Sequence, residues 1–210
     1  MSTDPELALF PLPMVLFPDG LLCLKVFEAR YLDLIAQCLR ERQSFGVVLL
    51  RSATAGGRAG SAGASTAAAP DLEATGTRAE LIDVDADQAG ILLVRCRGTQ
   101  RFAIRSRRQR KDGLWLALTE PLADDEAVAP PYALVDSARG LAAAINRLDA
   151  RNERPFLEPY RFDDAGWVAN RWCEILPISA RAKHKLMELP DPLVRLQLVD
   201  EFLRKKGVVD

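Results

Sequence analysis

The stretch ALFPLPMVLFPDGLLCLKVFEARY, residues 8–31, is apolar but is broken by prolines at positions 11, 13 and 18. These prolines leave no run near the ~18 apolar residues that a membrane-spanning helix requires. Asp4 and Glu6 precede the stretch without any lysine or arginine, whereas a secretory signal begins with a positively charged segment. We therefore expect the stretch to fold as part of a cytoplasmic protein that does not enter a membrane.

The pattern around that stretch predicts two strands followed by a helix. Residues 7–10 and 21–27 have the composition of short strands. The sequence FPDG at 17–20 has the residues of a turn, because proline fixes φ and glycine accepts positive φ. From residue 28 to about residue 43 the apolar side chains recur at helical spacing, which predicts a helix with one buried face.

The remaining sequence changes from strand patterns to helix patterns. Strands are predicted at residues 45–50, 76–84, 91–97, 100–106 and 114–120, with a flexible loop at about 52–75 that is rich in alanine, glycine, serine and threonine. Helices are predicted at 132–151 and after the capping residues Asp163 or Asp164, Ser179 and Asp191. The chain is therefore expected to have a β-rich subdomain, residues 1–122, and a helical subdomain, residues 132–210.

The composition argues against several classes of function. Lysine and arginine number 28 and aspartate and glutamate 29, so the charge of the whole molecule favours neither a nucleic-acid-binding nor a strongly acidic protein. The four cysteines, at positions 23, 38, 96 and 173, form no Cys-x-x-Cys pair. This spacing favours mostly buried thiols over zinc or thioredoxin-like sites. We expect no metal site and no cofactor.

Six segments of the chain carry a family resemblance: LFPLPMVLFPDGLLCLKVFEARY, FGVVLL, GTRAELIDV, GTQRFAI, ILPIS and DPLVRLQLVDEFL. In their residues, order and spacing these segments resemble the substrate-binding, or N-terminal, domain of Lon-type ATP-dependent proteases (protease La). The resemblance is to a stand-alone protein of this domain type. The resemblance implies an α+β fold, in which a PUA-like β-barrel packs with one early helix and is followed by a helical bundle. The chain departs from the residues that are usual in the family at Asp19, Cys23 and Ala29.

No segment predicts catalysis. A Lon ATPase needs the phosphate-binding motif G-x-x-x-x-G-K-[ST], and the sequence contains no Gly-Lys pair. His184, the single histidine, has only Glu188 near it in sequence, so we interpret it as a solvated or packed helix residue. Asp83, Asp85 and Asp87 lack the spacing of a calcium loop and predict an exposed acidic edge. We expect a non-enzymatic protein; an enzyme acting on an unknown small molecule is a less favoured alternative.

The resemblance implies a module that binds unfolded or hydrophobic segments of other proteins, with a separate protease as a further candidate partner. The candidate binding residues are Phe17, Leu21, Leu22, Glu28, Arg30 and Tyr31. Strand alternation places Leu22 and Leu24 on one face and Leu21 on the other, so we predict Leu22 and Leu24 to be core and Leu21 to be exposed. Glu28, Arg30 and Tyr31 either tie the helix to the barrel or contact a ligand.

An arginine-rich segment offers an alternative function. Its candidate nucleic-acid contacts are Arg95, Arg97, Arg101, Arg105 and Arg107, which are interspersed with apolar residues and are predicted to face solvent. A charged sheet edge that discourages aggregation is the favoured interpretation. RNA binding is the alternative, although the segment lacks the interleaved exposed aromatic residues of a stacking surface.

Overall fold

The computed structural model describes residues 6–51 and 71–209, and in that part of the chain it contains six strands and five α-helices. The strands are β1 (Leu7–Leu12), β2 (Leu21–Val26), β3 (Phe45–Leu50), β4 (Leu72–Gln88), β5 (Ile91–Gln109) and β6 (Trp115–Pro121). The helices are α1 (Ala29–Glu41), α2 (Val135–Asp149), α3 (Ala165–Ile175), α4 (Ala180–Glu188) and α5 (Pro192–Lys205), with a 3₁₀ turn at Tyr132–Leu134 before α2.

Most predicted elements are present, with two differences in the strands. The segments predicted as separate strands at 91–97 and 100–106 form one strand, β5, because Gly98 continues the ladder by pairing with Ala79 of β4. The far end of the predicted flexible loop is strand, since β4 begins at Leu72. Residues 52–70 of that loop lie outside the described residues.

The six strands form one mixed sheet in the order β2-β5-β4-β3-β1-β6. β1 and β3 run parallel, and the other pairs are antiparallel. β6 pairs with β1 and also with β5, so β5, β4, β3, β1 and β6 form a closed ring of paired strands. β2 is a terminal strand attached to β5. The fold class is α+β, as predicted.

Local sequence explains where the last three helices begin. The Asp164 side chain caps α3 by accepting a backbone N–H, and Ser179 caps α4 in the same way. Asp191 caps α5 and is followed by Pro192 in the first turn, where the missing N–H removes no helical hydrogen bond. These starts agree with the capping residues identified in the sequence.

Three hydrophobic clusters hold the elements together. One lies between α1 and the sheet, and a second is formed among β1, β3, β4, β5 and β6. The third is formed by the C-terminal helices together with Val15, Phe17 and Leu49. The segment between β1 and β2 therefore supplies core residues to the helical part of the chain, and each half buries apolar surface of the other.

Arg171 of α3 fixes the turn between β1 and β2. Its fully buried guanidinium donates to the carbonyl oxygens of residues 18 and 19, at 2.8 and 2.6 Å, and to the Glu174 carboxylate at 2.7 Å. The turn also lies against β5, where a Cβ atom on Gly98 would overlap the carbonyl oxygen of Phe17. The FPDG turn is thus held between the sheet and α3.

The prediction that Arg101 faces solvent is wrong. Arg101 is 5% exposed and donates hydrogen bonds to backbone oxygens at the end of α4 and to the Asp125 carboxylate. The same carboxylate accepts hydrogen bonds from Arg195 of α5, which is 1% exposed. Arg101 points away from the strand core around Phe102, but at this point the outer face of β5 is covered by the C-terminal helices. We call Arg101, Asp125 and Arg195 the arginine junction.

Candidate functional site

Two of the predicted binding residues are core residues. Phe17 is 0% exposed in the cluster formed with the C-terminal helices, and Leu22 is 1% exposed in the cluster beneath α1. Because both side chains are buried, they form no part of a binding surface in this structure, which corrects the prediction. Helices cover the side of the hairpin on which a solvent-exposed apolar patch was expected. Leu22 is core, as strand alternation predicted, whereas Leu21 and Leu24 are both half-buried.

Three of the other predicted residues lie at a groove between β1, β2 and the start of α1. This first groove has a volume of about 390 Å³. Its walls are mostly apolar and include Phe10, Leu12, Leu24, Val26, Phe27, Tyr31 and Trp115. Lys25, Glu28 and Arg30 add charged groups to the lining. A concave, mostly apolar surface with a few charged groups is typical of a ligand site.

Phe27 is the most exposed apolar residue of the first groove, at 65%. It follows Val26, which is 2% exposed at the end of β2, and it precedes Glu28, the N-cap residue of α1. The alternation that buries Val26 directs the next side chain away from the core. An aromatic side chain this exposed beside an apolar groove indicates an interaction surface.

Arg30 connects the first groove to the turn between β5 and β6. It forms an ion pair with Glu28, lies 5.0 Å from the centroid of the Tyr31 ring, and packs on Gly113, where a Cβ atom would overlap its guanidinium. Tyr31 stacks on Phe10 with ring centroids 4.0 Å apart, and burial raises the pKa of its phenol above the usual value. Of the two predicted roles, tying the helix to the sheet is observed; contact with a ligand remains a prediction.

A second groove lies between the segment that precedes β2 and helices α3 and α4. It measures about 370 Å³ and contains Leu21, so the predicted binding residues are divided between two grooves. Its lining is mostly apolar and includes Pro13, Met14, Val15, Leu16, Leu21, Phe156, Ile175 and Ile178. Glu174 and Lys183 add charged groups to this lining. Burial raises the pKa of Glu174 to about 7, against the opposing effect of Arg171, and burial lowers the pKa of Lys183.

The other arginines of the basic segment are largely engaged within the chain. Three of the predicted nucleic-acid contacts have a partner: Arg97 the Glu158 carbonyl oxygen, Arg105 the Glu120 carboxylate, and Arg107 the ring of Trp115. Arg95 is exposed on β5. Because most of these side chains already contact acidic, carbonyl or aromatic groups, the segment is not a strip of uncompensated charge. RNA binding remains a prediction.

The sequence did not identify Phe27, Met14 and Glu174 as candidate site residues. Phe27 could have been found, because it directly follows a strand whose alternate residues are core. Met14, which is 46% exposed in the second groove, follows a proline-rich segment. That segment has neither helical nor strand periodicity, so the exposure of Met14 could not be predicted. The burial of Glu174 could not have been found, because it depends on the packing of α3 against the turn between β1 and β2.

Other candidate sites provide no reactive constellation in the described part of the chain. His184 is 2% exposed and its Nε2 lies 3.1 Å from the Thr75 carbonyl oxygen, so it is a packed helix residue. Asp83 and Asp85 are exposed, and the Asp87 side chain lies outside the described part. Within residues 6–51 and 71–209, no group of three or more His, Cys, Asp or Glu side chains could hold a metal ion, and no helix has the length and apolar character to cross a membrane.

Known proteins share this fold and sequence pattern. The family model of the ATP-dependent protease La (LON) substrate-binding domain matches residues 6–205. A solved Lon N-terminal domain protein from Xanthomonas campestris is 30% identical, with a TM-score of 0.71 over 93% of this chain and 97% of that chain. The N-terminal domain of Mycobacterium avium complex Lon protease shares the fold at 14% identity, with a TM-score of 0.66 over 95% of this chain and 98% of that chain. No curated protein matches the sequence. The chain belongs to the family of ATP-dependent protease La (LON) substrate-binding domains.

Proposed function

We propose that the chain is a non-enzymatic module that binds exposed hydrophobic segments of unfolded polypeptides, its clients, through the first groove. Membership of a substrate-binding family supports the binding role. The observation that carries the location is Phe27, an aromatic side chain that is 65% exposed in the lining of an apolar groove. Aromatic side chains provide large contact areas and are enriched among the residues that dominate binding energy.

The chemistry of the first groove suits clients of varied sequence. Its apolar walls would remove apolar client side chains from water, which is favourable by roughly 25 cal/mol per Å² of buried area. Glu28 and Arg30 are already paired with each other, so they impose no charge requirement on the client. The groove would therefore select for exposed apolar character, which folded proteins largely hide.

Phe27→Ala tests the proposal. Reduced, carboxymethylated α-lactalbumin serves as an unfolded client, and its binding is measured by fluorescence anisotropy. We expect about tenfold weaker binding or more, because an aromatic anchor is lost, and a change in the free energy of unfolding within about 0.5 kcal/mol, because Phe27 is exposed.

Tyr132→Ala is the matched control, since Tyr132 is 95% exposed and lines neither groove. It should bind the client as the wild type does. Equal binding by wild type and Phe27→Ala would place the binding surface elsewhere. Failure of the wild type to bind any unfolded client would refute the function itself.

The same proposal includes the fate of the client and the architecture of the two halves. The bound client is released intact, and a separate protease is the partner that receives it. Incubation of the client with this chain alone should therefore leave the client uncleaved. The closed ring of strands supports a PUA-like barrel for residues 1–122. The cluster formed by the C-terminal helices supports a helical bundle for residues 132–210.

A further inference from the structure

We propose that the client binds in an extended conformation, by adding a strand to the outer edge of β2 at Cys23. This inference rests on the proposed function and specifies the client's conformation. It follows from the hydrogen-bond pattern of β2, from an extended segment of the chain itself that already lies on this edge, and from the positions of the two grooves.

The alternation of hydrogen bonds shows which backbone groups of β2 point away from the sheet. Directly before β2, Gly98 N donates to the Gly20 carbonyl oxygen at 2.9 Å, and the register with β5 continues without a break through β2. Residues of an antiparallel strand bond alternately to one side and to the other. Leu22 and Leu24 therefore bond toward β5, and the N–H and C=O of Cys23 point outward. In the described chain no strand pairs with β2 on that side.

The chain already places one of its own extended residues on this edge. Gly20 forms an isolated antiparallel bridge with Phe156, whose side chain is 5% exposed in the core of the C-terminal helices. The pairing does not continue along β2, and the residue before Phe156 is Pro155, which lacks the N–H that a longer ladder would use. The edge is thus occupied at Gly20 and open at Cys23, so an added strand would extend an interface that the fold itself uses.

The two grooves adjoin the two ends of this edge. Leu21 lines the second groove, and Leu24 and Phe27 line the first. Because an extended chain rises ~3.3 Å per residue, a segment of about six residues would span the distance from one groove to the other. Its side chains alternate between two faces, so apolar residues at every second position could enter the grooves while the backbone bonds to Cys23.

This mode of binding defines the class of client. In strand addition, main-chain hydrogen bonds supply affinity for any sequence, and pockets for alternate side chains supply preference. The client class is therefore an unfolded segment with apolar residues at alternate positions, and a preformed amphipathic helix is excluded. The open edge is short, which limits pairing between copies of this chain.

Proline at position 23 tests the role of the outward N–H. Proline is tolerated on an edge strand where its N–H would face away from the sheet. Cys23→Pro should therefore fold, as urea unfolding would verify, but should bind reduced, carboxymethylated α-lactalbumin about tenfold more weakly. Cys23→Val is the matched control, because it keeps the N–H and is a good strand residue; it should bind normally. Normal binding by folded Cys23→Pro would overturn the inference.

Methylation of the client backbone gives a second test on the unaltered protein, which decides the question even if Cys23→Pro does not fold. Ten-residue peptides from α-lactalbumin identify a bound segment, which is then prepared with an N-methyl group at each residue in turn. Strand addition predicts about tenfold weaker binding at alternate positions, because only every second N–H faces β2.

The outcomes separate this inference from the proposed function. Tolerance of methylation at every position would overturn strand addition, and if the same peptide still depended on Phe27 the proposed function would stand. Failure of all peptides and of the whole unfolded protein to bind would overturn both. A periodic loss together with dependence on Phe27 would support both.

Discussion

Replacing Asp125 by alanine should strongly destabilise the protein, because it removes the negative charge that two buried arginines share. Arg101 and Arg195 are 5% and 1% exposed, and both donate hydrogen bonds to the Asp125 carboxylate. In the variant each would keep hydrogen bonds to backbone oxygens but would lose its counter-charge. Breaking a buried ion pair from one side typically costs 3–5 kcal/mol. We expect a loss of about 3–5 kcal/mol in the free energy of unfolding.

Urea unfolding followed by tryptophan fluorescence measures this loss, since Trp167 and Trp172 are each 4% exposed in the helical core. Asp124→Ala is the matched control, because Asp124 is the exposed neighbour and its removal should change stability by no more than about 0.5 kcal/mol. A loss below about 1 kcal/mol in Asp125→Ala would refute the reasoning that the arginine junction holds the two halves together.

Urea unfolding and its pH dependence check three further predictions. Leu22→Ala should lower the free energy of unfolding by about 2–5 kcal/mol, since Leu22 is 1% exposed, and half-buried Leu21→Ala should cost clearly less; equal losses would contradict the assignment of faces. Reversing Arg105 and Arg107 to glutamate should cost about 1 kcal/mol or less, since both are exposed; a larger loss would make the basic segment structural. Burial raises the pKa of Glu174 from 4.5 to about 7, so the folded protein holds this proton more tightly than the unfolded chain does. The free energy of unfolding should therefore fall, by up to about 3 kcal/mol, as pH rises from about 4.5 through 7, and Glu174→Gln should remove most of that fall; an unchanged pH profile would contradict this.

The helices and strands could be predicted because their signals are local. Asp191 followed by Pro192 defines a helix start within two residues, and the structure begins α5 there. The spacing of Tyr31, Leu34 and Ile35 predicted one face of α1, and all three are buried against the sheet. Such patterns need no knowledge of what lies across the fold.

The burial of Arg101 could not be predicted because it depends on a distant part of the chain. Strand alternation correctly places Arg101 and Phe102 on opposite faces of β5. It does not predict what covers the face that carries Arg101. That cover includes residues 125, 187 and 189, which only the folded chain brings together with Arg101. The burial of Phe17, a candidate binding residue, could not be predicted for the same reason, since α3 covers the turn.

The C-terminal half contacts the turn at the start of the proposed binding edge, which leads to a last prediction. Arg171 bonds the carbonyl oxygens of residues 18 and 19, and Phe156 bridges Gly20, so the turn that leads into β2 is held by contacts from that half. β2 is paired with β5 on one side only, so the turn at its start is a second support for its outer edge.

Arg171→Met should consequently weaken both folding and client binding. It leaves the two turn carbonyl oxygens and the Glu174 carboxylate without their donor, so we expect a loss of about 3 kcal/mol or more in the free energy of unfolding. Client affinity per folded molecule should also fall, because the turn that leads into the edge at Cys23 loses its contact with α3. Phe27→Ala is the informative comparison, since it should lose affinity and keep its stability. Unchanged affinity of folded Arg171→Met would show that the turn does not control the binding edge.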